Sequence, residues 1–202
     1  MERLPDYFRR IDHNGRVLLS LLNDLLDLAK LESGYMAFGL QACSVHVLVA
    51  LVVEEVQDQL TQHHLAMDFE PPPEPLSAMV DSHRFMQVIR NLLSNAIKFS
   101  PSGGRITIAM SPRASHLVIT VRDQGVGIPE AELETIFDKF VQSSKTKTGA
   151  GGTGLGLAIC REIMAAHQGR IWAANAPEGG AVFTVELPLT PGVQSESSGA
   201  RG

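Results

Sequence analysis

Asn91, Asn95 and Lys98 stand at i, i+4 and i+7 of the segment Asn91-Leu92-Leu93-Ser94-Asn95-Ala96-Ile97-Lys98-Phe99. On a helix that spacing puts two amides and an ammonium on one face. An amide oxygen is a hard ligand suited to Mg²⁺, and a lysine neutralises phosphate charge, so the face could hold a magnesium-bound polyphosphate. The solvated side of an ordinary amphipathic helix would carry the same residues. A second group is Asp123-Gln124-Gly125-Val126-Gly127. A carboxylate at a strand end can accept from an exocyclic amine, and glycines beside it let backbone approach a flat ligand. A tight turn opened by Asp explains the same pattern. Third, the run from Gly149 to Leu157, with Gly151, Gly152, Thr153, Gly154, Leu155 and Gly156 at its centre, enters a helical segment. Backbone N–H groups and a helix N-terminus there would favour an anion. The run lacks the G-K-[ST] ending of a Walker loop and does not follow a strand as G-x-G-x-x-G does.

These groups need elements to hold them. Residues 5 to 34 read as one long helix, with Ile11, Leu18, Leu21, Leu22, Leu25, Leu28 and Ala29 as its apolar stripe and Gly34 as its stop. Further helices are expected over Val45 to His63, Ser82 to Phe99, Pro129 to Phe137 and Leu155 to His167. Strands are expected over Leu65 to Phe69, Ala78 to Val80, Arg105 to Met110, Leu117 to Arg122, Arg170 to Ala174 and Ala181 to Leu187. Arg105 to Met110 and Leu117 to Arg122 should be antiparallel neighbours. The alternation lacks a regular βαβ rhythm, so the fold class is α/β with a mixed sheet and helices on one face. Phe137 and Phe140 read as core residues. The stretch from Gln142 to Gly152 is polar, rich in Ser, Thr, Lys and Gly, and has no large apolar anchor. The small polar tail from Thr190 reads as disordered.

Composition narrows the function classes. A hydrophobic content of 44% in 202 residues supports a sizeable core. The net charge of −5 and a pI near 5.8, with no basic block, argue against a nucleic-acid partner. Cys43 and Cys160 are far apart, which suggests a reducing compartment without disulfides or a zinc site. The apolar run Val45 to Val53 is too short to cross a bilayer. The expectation is a soluble cytoplasmic protein whose longer parent could carry membrane spans.

The order of the motifs resembles the histidine kinases among the Bergerat-fold ATPases. Asn91 to Phe99 looks like the N box, Asp123 to Gly127 like the G1 box, Phe137 to Phe140 like the F box and Gly152 to Gly156 like the G2 box. The match covers about Val45 to Leu189 and implies a two-layer sandwich, the Bergerat fold. It also implies residue roles. Asn95 resembles the magnesium ligand, Lys98 the phosphate contact, Asn91 a further polar member, and Asp123 the acceptor for the adenine amino group. Gly125 and Gly127 resemble the floor of the adenine pocket. Gly152, Thr153, Gly154, Leu155 and Gly156 resemble the phosphate border, and Gln142 to Gly152 resembles the mobile lid.

In hydrolysing relatives the position of Asn91 is a glutamate that activates water, whereas an amide cannot act as a general base. The resemblance therefore implies transfer of the ATP γ-phosphate to a histidine. Ile11 to Gly34 resembles the second helix of a dimerisation and phosphoacceptor domain. No H-E-x-x-[TN]-P segment occurs, and His13 reads as a solvated histidine. The implied organisation is a partial dimerisation helix at 1–38, a catalytic domain at 44–189 and a tail at 190–202. Implied ligands and partners are ATP, Mg²⁺, an acceptor helix of the same or a partner chain, a response regulator receiver domain and a second copy of the chain. The alternatives are a nucleotide-binding interaction module and a non-kinase ATPase or serine-directed kinase of the same fold.

Overall fold

The computed structural model describes residues 3–33, 36–72, 74–146 and 152–190. Gly34 and the tail beyond residue 190 lie outside these, as does the side chain of His13. The chain opens with α1 (Arg3–Glu32), then β1 (Gln41–Ser44), α2 (Val45–Glu55), α3 (Gln57–Gln62), β2 (Ala66–Glu70), β3 (Ser77–Val80) and α4 (Ser82–Phe99). The hairpin β4 (Arg105–Arg113) and β5 (His116–Arg122) follows, then α5 (Gly156–Ala166), β6 (Arg170–Asn175) and β7 (Ala181–Pro188). No described helix is long and apolar enough to cross a membrane.

A five-stranded sheet runs in the order β2-β4-β5-β7-β6. β2 pairs parallel with β4, and the other neighbours are antiparallel, so the sheet is mixed. Period-two alternation sets its inner face. Ile106, Ile108 and Met110 of β4, Leu117, Ile119 and Val121 of β5, and Phe183, Val185 and Leu187 of β7 all enter one core. α4 lies over that core through Phe85, Val88, Ile89, Leu92, Leu93, Ala96 and Ile97, recurring at helical spacing. The Asp81 side chain caps α4 by accepting from Arg84 N at 3.1 Å. Pro101, next after the Ser100 cap, blocks continuation at the other end.

His167, 3% exposed, ties the two helices that carry the glycine-rich and amide motifs. Its Nε2 accepts from Asp81 N at 2.9 Å at the start of α4, so Nδ1 is the protonated nitrogen and donates to Ile163 O of α5 at 2.7 Å.

Several expectations change. The helix over Val45 to His63 is two helices, because Val56 leaves helical geometry at φ −96° and ψ 1°. The apolar period Val49, Val52, Val56, Leu60 runs through the break with all four residues buried, so the pattern does not reveal it. Pro129 to Phe137 forms two 3₁₀ turns, Glu130–Glu132 and Thr135–Phe137, instead of an α-helix. Only Ile136 and Phe137 of those turns are buried, and two anchors do not make a helical stripe. β1 is an addition: it is too short to alternate legibly and exists by antiparallel pairing with β3.

The stripe of α1 splits in two. Leu28 is buried, and Leu21 and Leu31 pack beside it against the domain. Asp27 fixes the same side by accepting from Arg84 Nη1 at 2.8 Å and Gln87 Nε2 at 3.0 Å. Leu18, Leu22 and Leu25 turn away and are 59%, 49% and 47% exposed.

Candidate functional site

A cleft of about 320 Å³ opens between α4, α5 and the loops after β5. Asn91, Asn95 and Lys98 line it together, as their helical spacing requires. Asp123, Gly127, Gly152, Thr153, Gly154 and Gly156 line it as well. Gly125 and Leu155, expected with them, are not part of the lining. A Cβ at Gly125 would lie 2.6 Å from the Phe99 carbonyl oxygen, so any side chain there would push the loop off α4. Leu155 is fully buried, and its N–H donates to Thr153 Oγ1 at 3.1 Å.

Asp123 sits at the end of β5 and is 4% exposed. Its Oδ1 accepts from Gly125 N at 2.8 Å and Ala181 N at 3.0 Å. Among the described residues Oδ2 accepts nothing and is the acceptor available to the cleft. Burial pushes this carboxyl above its usual range, and the two N–H donors only partly offset that. Ile128, Ile136, Val141 and Phe183 give the same region apolar walls.

The opposite wall is polar. Asn91 Nδ2 donates to Gly156 O at 3.2 Å and meets the fully buried Cys160 Sγ at 3.6 Å, which leaves Oδ1 for the cleft. Burial pushes the Cys160 thiol up to about 12, so it stays protonated. Burial lowers the Lys98 pKa. Its Nζ lies 3.1 Å from where a Cβ at Gly152 would be, so the ammonium reaches the glycine-rich loop.

That loop returns over the cleft with Gly154 at φ 69°, and its carbonyl accepts from Phe140 N at 2.9 Å. The contact overturns the core reading of Phe140. The residue itself adopts φ 61°, which commits its backbone to Gly154 and leaves its side chain 62% exposed. Phe137 is buried, as expected, edge-on to Phe183. The described part of the expected lid is tethered: Ser144 N donates to the Glu132 carboxylate at 3.0 Å and Lys145 Nζ to Val126 O at 3.0 Å. Residues 147–151 of that segment lie outside the described residues.

Two residues of the site escape sequence reasoning. Asn175 clamps the loop after Asp123, accepting from Ile128 N at 2.8 Å and donating to Ile128 O at 2.6 Å. Nothing local to Asn175 announces that. Asp24 of α1 lines the cleft and accepts from Thr153 Oγ1 at 3.2 Å. Its signal was present: Asp24 falls between Leu21 and Leu28 on the face of α1 that packs inward. Among the described residues no cluster of three His, Cys, Asp or Glu could bind a metal, so the hard donors here are amide oxygens and single carboxylates.

Known proteins resemble this chain in sequence and in fold. The sensor histidine kinase TmoS of Ectopseudomonas mendocina is 39% identical over 90% of this chain and 19% of its own length. A crystal structure of full-length ShkA in complex with AMPPNP superposes with a TM-score of 0.80 at 26% identity, over 94% of this chain and 40% of that one. The histidine kinase ThkA, in complex with response regulator protein TrrA, gives 0.77 at 28% identity, over 94% of this chain and 52% of that one. The chain spans between 12% and 30% of the length of three such curated relatives. Residues 80–191, more than half of the chain, match one family along the segment that builds the cleft. The chain belongs to the histidine kinase-, DNA gyrase B- and HSP90-like ATPases, and its mixed sheet under α4 and α5 is their Bergerat fold.

Proposed function

We propose that this chain is the ATP-binding catalytic part of a two-component sensor histidine kinase, passing the ATP γ-phosphate to a histidine of a phosphoacceptor helix in the same or a partner chain. The observation that carries the reading is the convergence of Asn91, Asn95 and Lys98 with Asp123 and the Gly152–Gly156 loop on one cleft. The apolar walls suit a purine, and Asp123 Oδ2 would accept from its amino group. The oxygens of Asn95 and Asn91 are hard donors that fit Mg²⁺, with Asn95 as the metal ligand. Bound Mg²⁺ would offset charge on the phosphate oxygens. Lys98 would contact a phosphate, and the N–H groups at the start of α5 would face its anionic oxygens. Asn91, with its Nδ2 held by Gly156 O, cannot take a proton from water, which favours transfer over hydrolysis.

The same reading divides the chain into a dimerisation helix over 1–38, a catalytic domain over 44–189 and a tail over 190–202. It gives the protein a response regulator as partner and a second copy that covers Leu18, Leu22 and Leu25. Mixing the chain with a separately made acceptor helix and γ-labelled ATP tests it. Acid-labile label should appear on the acceptor and vanish with Asn95→Ala. Phosphate released to water without transfer would point to a hydrolase instead.

A further inference from the structure

Of the ionisable groups lining the cleft, Asp24 alone has no part in the nucleotide reading. Asp24 comes from α1, 129 positions from the residue it touches, and places a half-buried carboxylate in the lining beside Thr153, at the foot of α5. It is held there firmly. Leu28 and the Asp27–Arg84 pair dock the next turn of α1, and Thr153 Oγ1 donates to Asp24 while accepting from Leu155 N. Burial pushes the Asp24 carboxyl above its ordinary range and neighbouring Asp27 adds to this, with only the Thr153 hydroxyl acting the other way. Among the described residues no cation pairs with it.

An anion in that place acts differently on two forms of one ligand. The loop it touches is the one whose N–H groups and helix N-terminus would receive phosphate oxygens. A bare polyphosphate would bring its full negative charge up to a carboxylate in a partly water-excluded cleft, where like charges repel more strongly than in water. A polyphosphate chelated by a divalent cation brings far less net charge. We propose that Asp24 is a specificity-determining residue of this site: brought in by α1, it makes the cleft reject metal-free nucleotide and accept the magnesium complex. The proposal rests on the nucleotide reading above and adds a role for α1 in selecting the ligand.

Calorimetric titration of the full chain with ATP, once with excess Mg²⁺ and once with a chelator, tests this. Asp24→Asn keeps the shape and a hydrogen-bond acceptor for Thr153 while removing the charge. It should raise the affinity for metal-free ATP by about tenfold, the size expected for one partly screened like charge. Affinity for Mg·ATP should move by less than about threefold, so the ratio of the two affinities shrinks. Asp24→Glu and Thr153→Val retain the charge, and both should retain the parent's ratio whatever they do to absolute affinity. A ratio unchanged in Asp24→Asn, or one that collapses equally in Thr153→Val, would overturn the proposal and leave Asp24 as a loop support. Failure of the parent to bind ATP under either condition would overturn the nucleotide reading, and Asp24's role with it.

Discussion

Asp123 shows how much a single residue's role depends on its surroundings. Its Oδ1 is committed to two backbone N–H groups, which fixes the carboxylate and leaves Oδ2 for a ligand. A charge-assisted hydrogen bond in such a place contributes about 1.5–3 kcal/mol, roughly ten- to a hundredfold in affinity. Asp123→Ala should therefore weaken ATP binding at least about tenfold and erase most discrimination against GTP, both read by calorimetry. Retained preference for ATP would mean that another group reads the base.

Acidity gives a second handle on the same residue. Because burial raises its pKa, the folded state binds this proton more tightly than the unfolded chain does. The group's cost to stability is present above the raised value and relieved as pH falls through it. The ionised acceptor, by contrast, exists only above it. ATP affinity should thus begin to fall on acidification at a pH above the ordinary aspartate value of about 3.9. A titration flat down to that value would remove Asp123 from base recognition. Asn95→Ala should lower affinity for Mg·ATP with little change for metal-free ATP, while the melting temperature holds. Equal Mg·ATP affinity in mutant and parent would take Asn95 out of the site.

Among the elements, α4 and α1 make a useful contrast. The face of α4 is legible because helical periodicity is a local property, and it puts Asn91, Asn95 and Lys98 together whatever surrounds them. The amphipathicity of α1 is equally legible, but which leucines face inward is set by the domain it meets. Leu28, 4% exposed, is the centre of that contact. Leu28→Ala should cost about 2 kcal/mol, the low end for a buried leucine because the site lies at one rim of the core. Denaturant melts would read that loss, and faster hydrogen exchange in α1 than in α4 would localise it. Equal acceleration in both helices would show that α1 is integral to the core instead of docked on it.

For the molecule as a whole, the outward side of α1 matters most. Leu18, Leu22 and Leu25 stand exposed in a row, and burying each is worth about 1.5–3 kcal/mol. The chain should sediment as a dimer or larger assembly, and replacing the three leucines with glutamine should yield a monomer that still binds ATP. A parent that is strictly monomeric in ultracentrifugation would contradict this.

The sequence by itself determined the local things. Asp81 caps α4 and Pro101 ends it, alternation gives β4, β5 and β7, and three glycine- or amide-rich segments stand in a recognisable order. These depend on neighbours within a turn or a strand. Tertiary structure decided the rest. Val56 breaks a helix whose apolar period continues unbroken, and Phe140 turns outward because its backbone is committed to Gly154. The four residues of β1 become a strand only by pairing with β3. Asn175 clamps the loop beside the cleft from 47 positions away, and Asp24 enters the lining 129 positions from the residue it holds. No pattern of adjacent residues encodes such contacts, because they exist only after the sheet has closed and α1 has packed down.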